Sequence, residues 1–208
     1  MAADHFITYQ EEPEKVILVG IDPGTSSNDN EAEQSLEELE ELAHTAGAEV
    51  VFSMLQNREQ PHPGTYIGAG KVLELKQLID EQGADAVICD DELSPAQMQN
   101  LSEALGVKVM DRTLVILDIF ASRARSREGK LQVELAQLRY TASHLAGMRR
   151  YLSRQGGGIG TRGPGEKKLE SDRRLISRRI TALKAEISRM EQHRQLQRKK
   201  RNDSNIPI

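Results

Sequence analysis

The chain has 208 residues, enough for one sizeable core or for a domain with an extension. Its net charge of −4 hides a division: residues 1–120 carry 6 Lys+Arg against 24 Asp+Glu, whereas residues 121–208 carry 22 against 8. A single cysteine, Cys89, excludes internal disulfides, and with no long apolar run or hydrophobic leader the expectation is a cytoplasmic protein without membrane insertion.

After a flexible start over 1–14, "KVILVGID" (Lys15 to Asp22) has the length and β-branched content of a strand. "AEQSLEELEELAHTAG" then places Leu36, Leu39, Leu42, Ala43 and Ala46 on one helical face, with Gly47 as its stop. The alternation continues. "AEVVFSML" is a strand, "KVLELKQLIDEQG" a helix ending at Gly83, and "ADAVICD" a strand that makes Cys89 a buried structural thiol. "SPAQMQNLSEALG" has Ser94 as N-cap, Pro95 at the first helical position and Gln97 closing a capping box. "VKVMD" is the last strand, and "RTLVILDIFASRA" is helical. This order predicts an acidic α/β domain over 15–125 with a mostly parallel four-stranded sheet.

Two stretches in this half invite a chemical reading. "HPGTYIGAGKV" is near a phosphate loop, but its spacing is one residue too long and Val72 stands where a magnesium-binding hydroxyl belongs. Gly68 and Gly70 then form a turn and cap, with Lys71 exposed. Asp90 and Asp91 lie at a strand's C-terminal end, where ligands of open α/β folds bind. With no basic partner nearby in sequence, they read as solvated loop carboxylates. Gly68, Gly70, Lys71, Asp90 and Asp91 are the candidates for nucleotide binding. The five histidines show no metal-ligand spacing, so no metal site is expected.

From Leu131 the period changes. Leu131, Leu135, Leu138, Ala142, Leu145 and Leu152 form a heptad seam interrupted by Arg149. Leu169, Ile176, Ile180, Leu183, Ile187 and Met190 form a second, interrupted by Arg173. They predict a long antiparallel helical hairpin (a coiled coil) over 126–202, with 203–208 opening a linker. Its tip is the glycine-rich run Gly156 to Gly165. Glu170 can offset Arg174, and nothing close in sequence offsets Arg178 and Arg179. The run contains G-x-G-x-x-G, but a helix precedes it and no strand follows, so it is not a dinucleotide fingerprint. Glycines that allow close backbone approach, and Arg162, which can fork onto phosphate, suit an RNA-binding tip, with Tyr140 and Tyr151 for base stacking.

"GTYIGAGKV", "DRTLVILDIFASRARSREGKLQVELAQLRY" and "LSRQGGGIGTRGPGEKKLESDRR" together resemble the front part of HflX-type GTPases, which are ribosome-associated. The resemblance implies a module that binds the large ribosomal subunit and takes part in splitting or rescuing ribosomes. Its hairpin loop would reach ribosomal RNA near the peptidyl-transferase centre, with no DNA partner. Carried onto this chain, the contacting residues are Arg149, Arg150, Arg154, Gly156, Gly157, Gly158, Ile159, Gly160, Arg162, Gly163, Pro164, Gly165, Lys167 and Lys168. Arg174 and Arg178 extend the cationic surface along the second arm. The family's GTPase domain would supply the GTP and Mg2+ site. No G-x-x-x-x-G-K-[S/T] motif occurs here, so the chain is expected to be a monomeric fragment without GTP hydrolysis or a cofactor of its own. The resemblance also makes ATP a possible ligand of the α/β domain. Two rival readings are an ATP-binding α/β domain with weak hydrolysis and a coiled-coil rod for protein contacts.

Overall fold

The computed structural model describes the backbone of residues 13–24, 30–155 and 164–203, and side chains within these except those of 146–169 and 200–203. Strand β1 (Lys15–Asp22) is followed by α1 (Glu31–Ala46), β2 (Glu49–Asn57), α2 (Ala69–Gln82), β3 (Ala86–Cys89), α3 (Pro95–Leu105), β4 (Lys108–Asp111) and α4 (Arg112–Arg123). Two long helices, α5 (Arg127–Gln155) and α6 (Pro164–Asp203), complete the chain.

All pairings are parallel, in the order β2-β1-β3-β4. The central strand β1 shows why a parallel strand reads as an unbroken apolar run: Val16 to Val19 are fully buried, alternately on the two faces. Ile17 and Val19 meet residues of α2 and α3, including Leu75, Ile79, Leu101 and Leu105. Val16 and Leu18 meet Leu36, Leu39 and Ala43 of α1 and Val115 and Ile119 of α4. Ala46, expected on the buried face of α1, is exposed at the last residue of the helix.

Helices α1, α2 and α3 end in left-handed Gly47, Gly83 and Gly106, as their sequence stops predict. The box at α3 forms as read, with Ser94 Oγ accepting from Gln97 N–H (3.3 Å) and Gln97 Oε1 accepting from Ser94 N–H (2.9 Å).

Helices α5 and α6 run antiparallel and bury Leu131, Leu135, Leu183 and Ile187 between them. Leu138, Ile180 and Met190 are partly buried against this cluster, so these parts of the two seams do face each other. Helix α5 packs on α3 and α4, which lie on opposite faces of the sheet. The root of the hairpin therefore stands beside β4, and β2 forms the opposite edge. Among the described residues no helix is long and apolar enough to cross a membrane.

Candidate nucleic-acid interface and the crest of the sheet

Helix α6 is 40 residues long, about 60 Å at 1.5 Å per residue. Its buried line is fixed by Leu183, which is 1% exposed. Arg174 is nine residues away and so points directly opposite; Arg178, Arg189 and Lys199 fall within about 60° of that direction. All four are exposed. Between Ser171 and Lys199 this outer face carries no acidic residue.

Three of the hairpin's acids are engaged across the seam. Glu134 takes a two-pronged bond from Arg179, with Nε at 2.7 Å and Nη2 at 3.0 Å. Arg127 pairs with Glu186 (2.7 Å), and Arg194 with Glu128. These bridges join the helices across the seam. Arg179 is thus offset after all, by a residue 45 positions earlier that only the antiparallel pairing brings near. The Arg174–Glu170 pair expected from sequence is present at 3.1 Å. Among the described residues, Arg178, Arg189 and Lys199 form no ion pair; Arg189 donates only to the Ala185 carbonyl of its own helix. The result is a cationic ridge on a seam-neutralised rod.

Of the expected tip, Gly156, Gly157, Gly158, Ile159, Gly160, Arg162 and Gly163 lie outside the described residues, and Pro164 and Gly165 open α6. Arg149, Arg150, Arg154, Lys167 and Lys168 lie on helix, with side chains outside the description. Tyr140 is not available for base stacking. Its hydroxyl donates to Asp111 at 2.8 Å and its ring lies 4.0 Å from that of His144.

At the carboxyl crest of the sheet the five nucleotide candidates each have structural partners or none at all. Gly68 is the N-cap of α2, and its N–H donates to Gln56 (2.9 Å). Gly70 has open space where a side chain would start, and Lys71 pairs with Glu74 at 2.8 Å. Asp90 is not a solvated carboxylate: Arg112 Nε and Nη2 donate to its Oδ1 at 2.9 and 2.6 Å. The same guanidinium reaches the Ser35 carbonyl (2.6 Å) and Glu38 (3.3 Å), tying α1, β3 and α4 together. Burial opposes the charge on Arg112, but the Asp90 and Glu38 carboxylates outweigh it and hold the pKa above its ordinary value. Asp91 accepts from the Tyr66 hydroxyl at 2.7 Å. Burial, reinforced by Asp91, pushes the Tyr66 phenol far above its usual range. Cys89 is fully buried and its thiol is likewise pushed up by burial, which fits a structural and not a nucleophilic residue.

Sequence reasoning missed Tyr66, Arg112 and Asp111. Tyr66 has φ +66°, the left-handed region that a bulky residue rarely adopts. Asp111 is the one fully buried charged side chain among the described residues. It accepts from Leu114 N–H (2.9 Å), Leu93 N–H (3.2 Å) and Tyr140. The signal was available in "DRT" at a strand end, where an Asp caps the next helix and a cation follows. No group of His, Cys, Asp or Glu among the described residues suits a metal ion.

A family model described as GTP-binding GTPase N-terminal matches residues 33–121, and one described as GTP-binding GTPase middle region matches residues 123–201. The GTPase HflX of Lacrimispora saccharolytica is 58% identical over 201 residues, covering 97% of this chain and 47% of that protein. The GTPase HflX of Escherichia coli is 45% identical over 174 residues, covering 84% and 41%. The chain thus spans about half the length of the curated relatives it matches. A crystal structure of SsGBP in complex with GDP aligns with a TM-score of 0.62 and 25% identity, covering 87% of this chain and 45% of that one. The chain belongs to the HflX-type GTP-binding family, of which it carries the N-terminal and middle regions.

Proposed function

We propose that this chain is a ribosome-binding module of an HflX-type GTPase, acting on the large subunit through ribosomal RNA. The hairpin presents its glycine-rich tip, with Arg154, Arg162, Lys167 and Lys168, toward RNA near the peptidyl-transferase centre. The ridge of Arg174, Arg178, Arg189 and Lys199 lies along phosphates behind the tip. The α/β unit holds the rod, and GTP with Mg2+ serves the remaining half of the longer relatives, in splitting or rescuing ribosomes.

The observation that carries this reading is the ridge. The hairpin pairs three of its acids across its own seam and leaves the outer face of α6, between Ser171 and Lys199, with cations and no acid. A rod built for protein contact has no need of that separation, whereas a phosphate backbone does. The crest of the sheet supports ATP binding less well, because Asp90 and Asp91 are engaged by Arg112 and Tyr66.

The test is co-sedimentation with purified large subunits over a range of salt. Each phosphate contact contributes roughly 0.7–0.9 to the slope of log affinity against log salt. Arg178→Gln with Arg189→Gln should therefore flatten that slope by about 1.4–1.8. Replacing 156–165 with a neutral serine-glycine loop should lower affinity at every salt concentration. If neither change affects sedimentation, the RNA reading fails.

A further inference from the structure

We propose that Asp111, Tyr140 and His144 form a latch that sets the angle of the hairpin on the α/β unit. Three apolar clusters exist among the described residues, and none crosses between the two units. One fills each face of the sheet, and the third lies wholly within α5 and α6. The directional bonds that cross the joint are polar. Tyr140 of α5 reaches the fully buried Asp111 at the end of β4, and His144, one turn on, reaches the Leu93 carbonyl with Nε2 at 3.2 Å. Its Nδ1 lies 2.9 Å from the Tyr140 carbonyl, and its ring rests on the tyrosine ring.

Leu93 is held at both ends. Its N–H donates to Asp111 and its carbonyl faces His144. The loop between β3 and α3 therefore touches the hairpin directly, and the same loop carries Asp90 and Asp91. Burial and the Asp111 carboxylate keep the Tyr140 phenol protonated well above its ordinary range, so it remains a donor.

Beside the latch, the packing of α4 on α5 leaves a gap. Leu117, Phe120 and Ala124 face Gln132, Val133 and Ala136 across an open groove of about 300 Å³. Phe120 stays 58% exposed there. An interface without a shared core and with free space on one side can pivot once its few directional bonds are released. Asp111 and Tyr140 are thus positioning residues, holding the rod where its tip can be presented.

Spin labels at Glu33→Cys in α1 and Gln195→Cys in α6 measure the angle in the full chain, since the native Cys89 is buried. The parent should give one narrow distance distribution. Tyr140→Phe keeps the ring on His144 and removes only the hydroxyl; it should broaden the distribution or add a second population. A hydrogen bond to a carboxylate of this kind shifts such an equilibrium by roughly tenfold or more. Thr141→Ala, an exposed neighbour, should change nothing. Asp111→Asn combined with Tyr140→Phe should add little to either alone, as expected for one coupled unit. If Asp111→Asn fails to fold, Tyr140→Phe decides alone. A distribution identical to the parent's overturns the latch. The effect on ribosome binding rests on the function proposed above: a broadened distribution with unchanged sedimentation keeps the latch and removes its role in presenting the tip.

Discussion

Tyr66 costs backbone energy to hold where it is. A non-glycine residue at φ +66° is disfavoured by about 1–3 kcal/mol, so the surroundings must over-determine it. They do: its N–H and carbonyl both pair with His62, at 2.9 and 2.7 Å, and its ring is buried. Gln97 and Asn100 of α3 brace the same loop through the His62 and Gly64 carbonyls, each at 2.8 Å. Tyr66→Phe should then lower stability by about 1.5–3 kcal/mol, seen as a shifted urea midpoint with unchanged slope. Alkali provides a second check. Tyr66, Tyr140 and Cys89 are all held protonated in the folded state above their ordinary values. The unfolded chain releases these protons first, so stability should be full at neutral pH and fall progressively as pH rises above about 8.5–10. The fall should be shallower in a chain carrying both Tyr66→Phe and Tyr140→Phe; an equal fall would show that the phenols do not contribute.

Elements were more legible than partners. The strands and the helices of the α/β unit could be read because each is a short periodic run closed by glycine, proline or a capping box, all of which act locally. The hairpin could be read because two heptad seams of matching period have no better way to be buried than against each other. What the sequence hid was pairing at a distance. Asp90 looked solvated because its cation, Arg112, lies 22 positions on and is brought back by the β3–β4 crossover. Arg179 looked unopposed because Glu134 sits on the other arm. The seam and the bridges should differ sharply in worth. Leu183→Ala, at the most buried point of α6, should cost about 2–5 kcal/mol of hairpin stability by thermal melting. Glu134→Gln removes a pair whose arginine is 52% exposed and should cost less than about 1 kcal/mol.

At the scale of the molecule, the charge division seen in the sequence becomes a division of labour in space. Most of the acids sit on a parallel sheet unit whose core is closed on both faces, and the bases sit on a rod fixed beside β4. The ridge lies on α6, the second arm of the hairpin. Among the described residues the two units share polar contacts and no apolar core, which lets each keep its own packing while their angle is set by a few bonds.

The strand order β2-β1-β3-β4 also has a temporal side. During synthesis β1 emerges first, yet it is the central strand and needs neighbours on both sides. Until residues 86–89 leave the ribosome it has one partner and one open edge, and its Val16-to-Val19 segment lacks cover from α4 until later still. A nascent chain arrested between β2 and β3 would therefore display its most apolar segment as a template with one open edge, a species prone to aggregate or to recruit a chaperone.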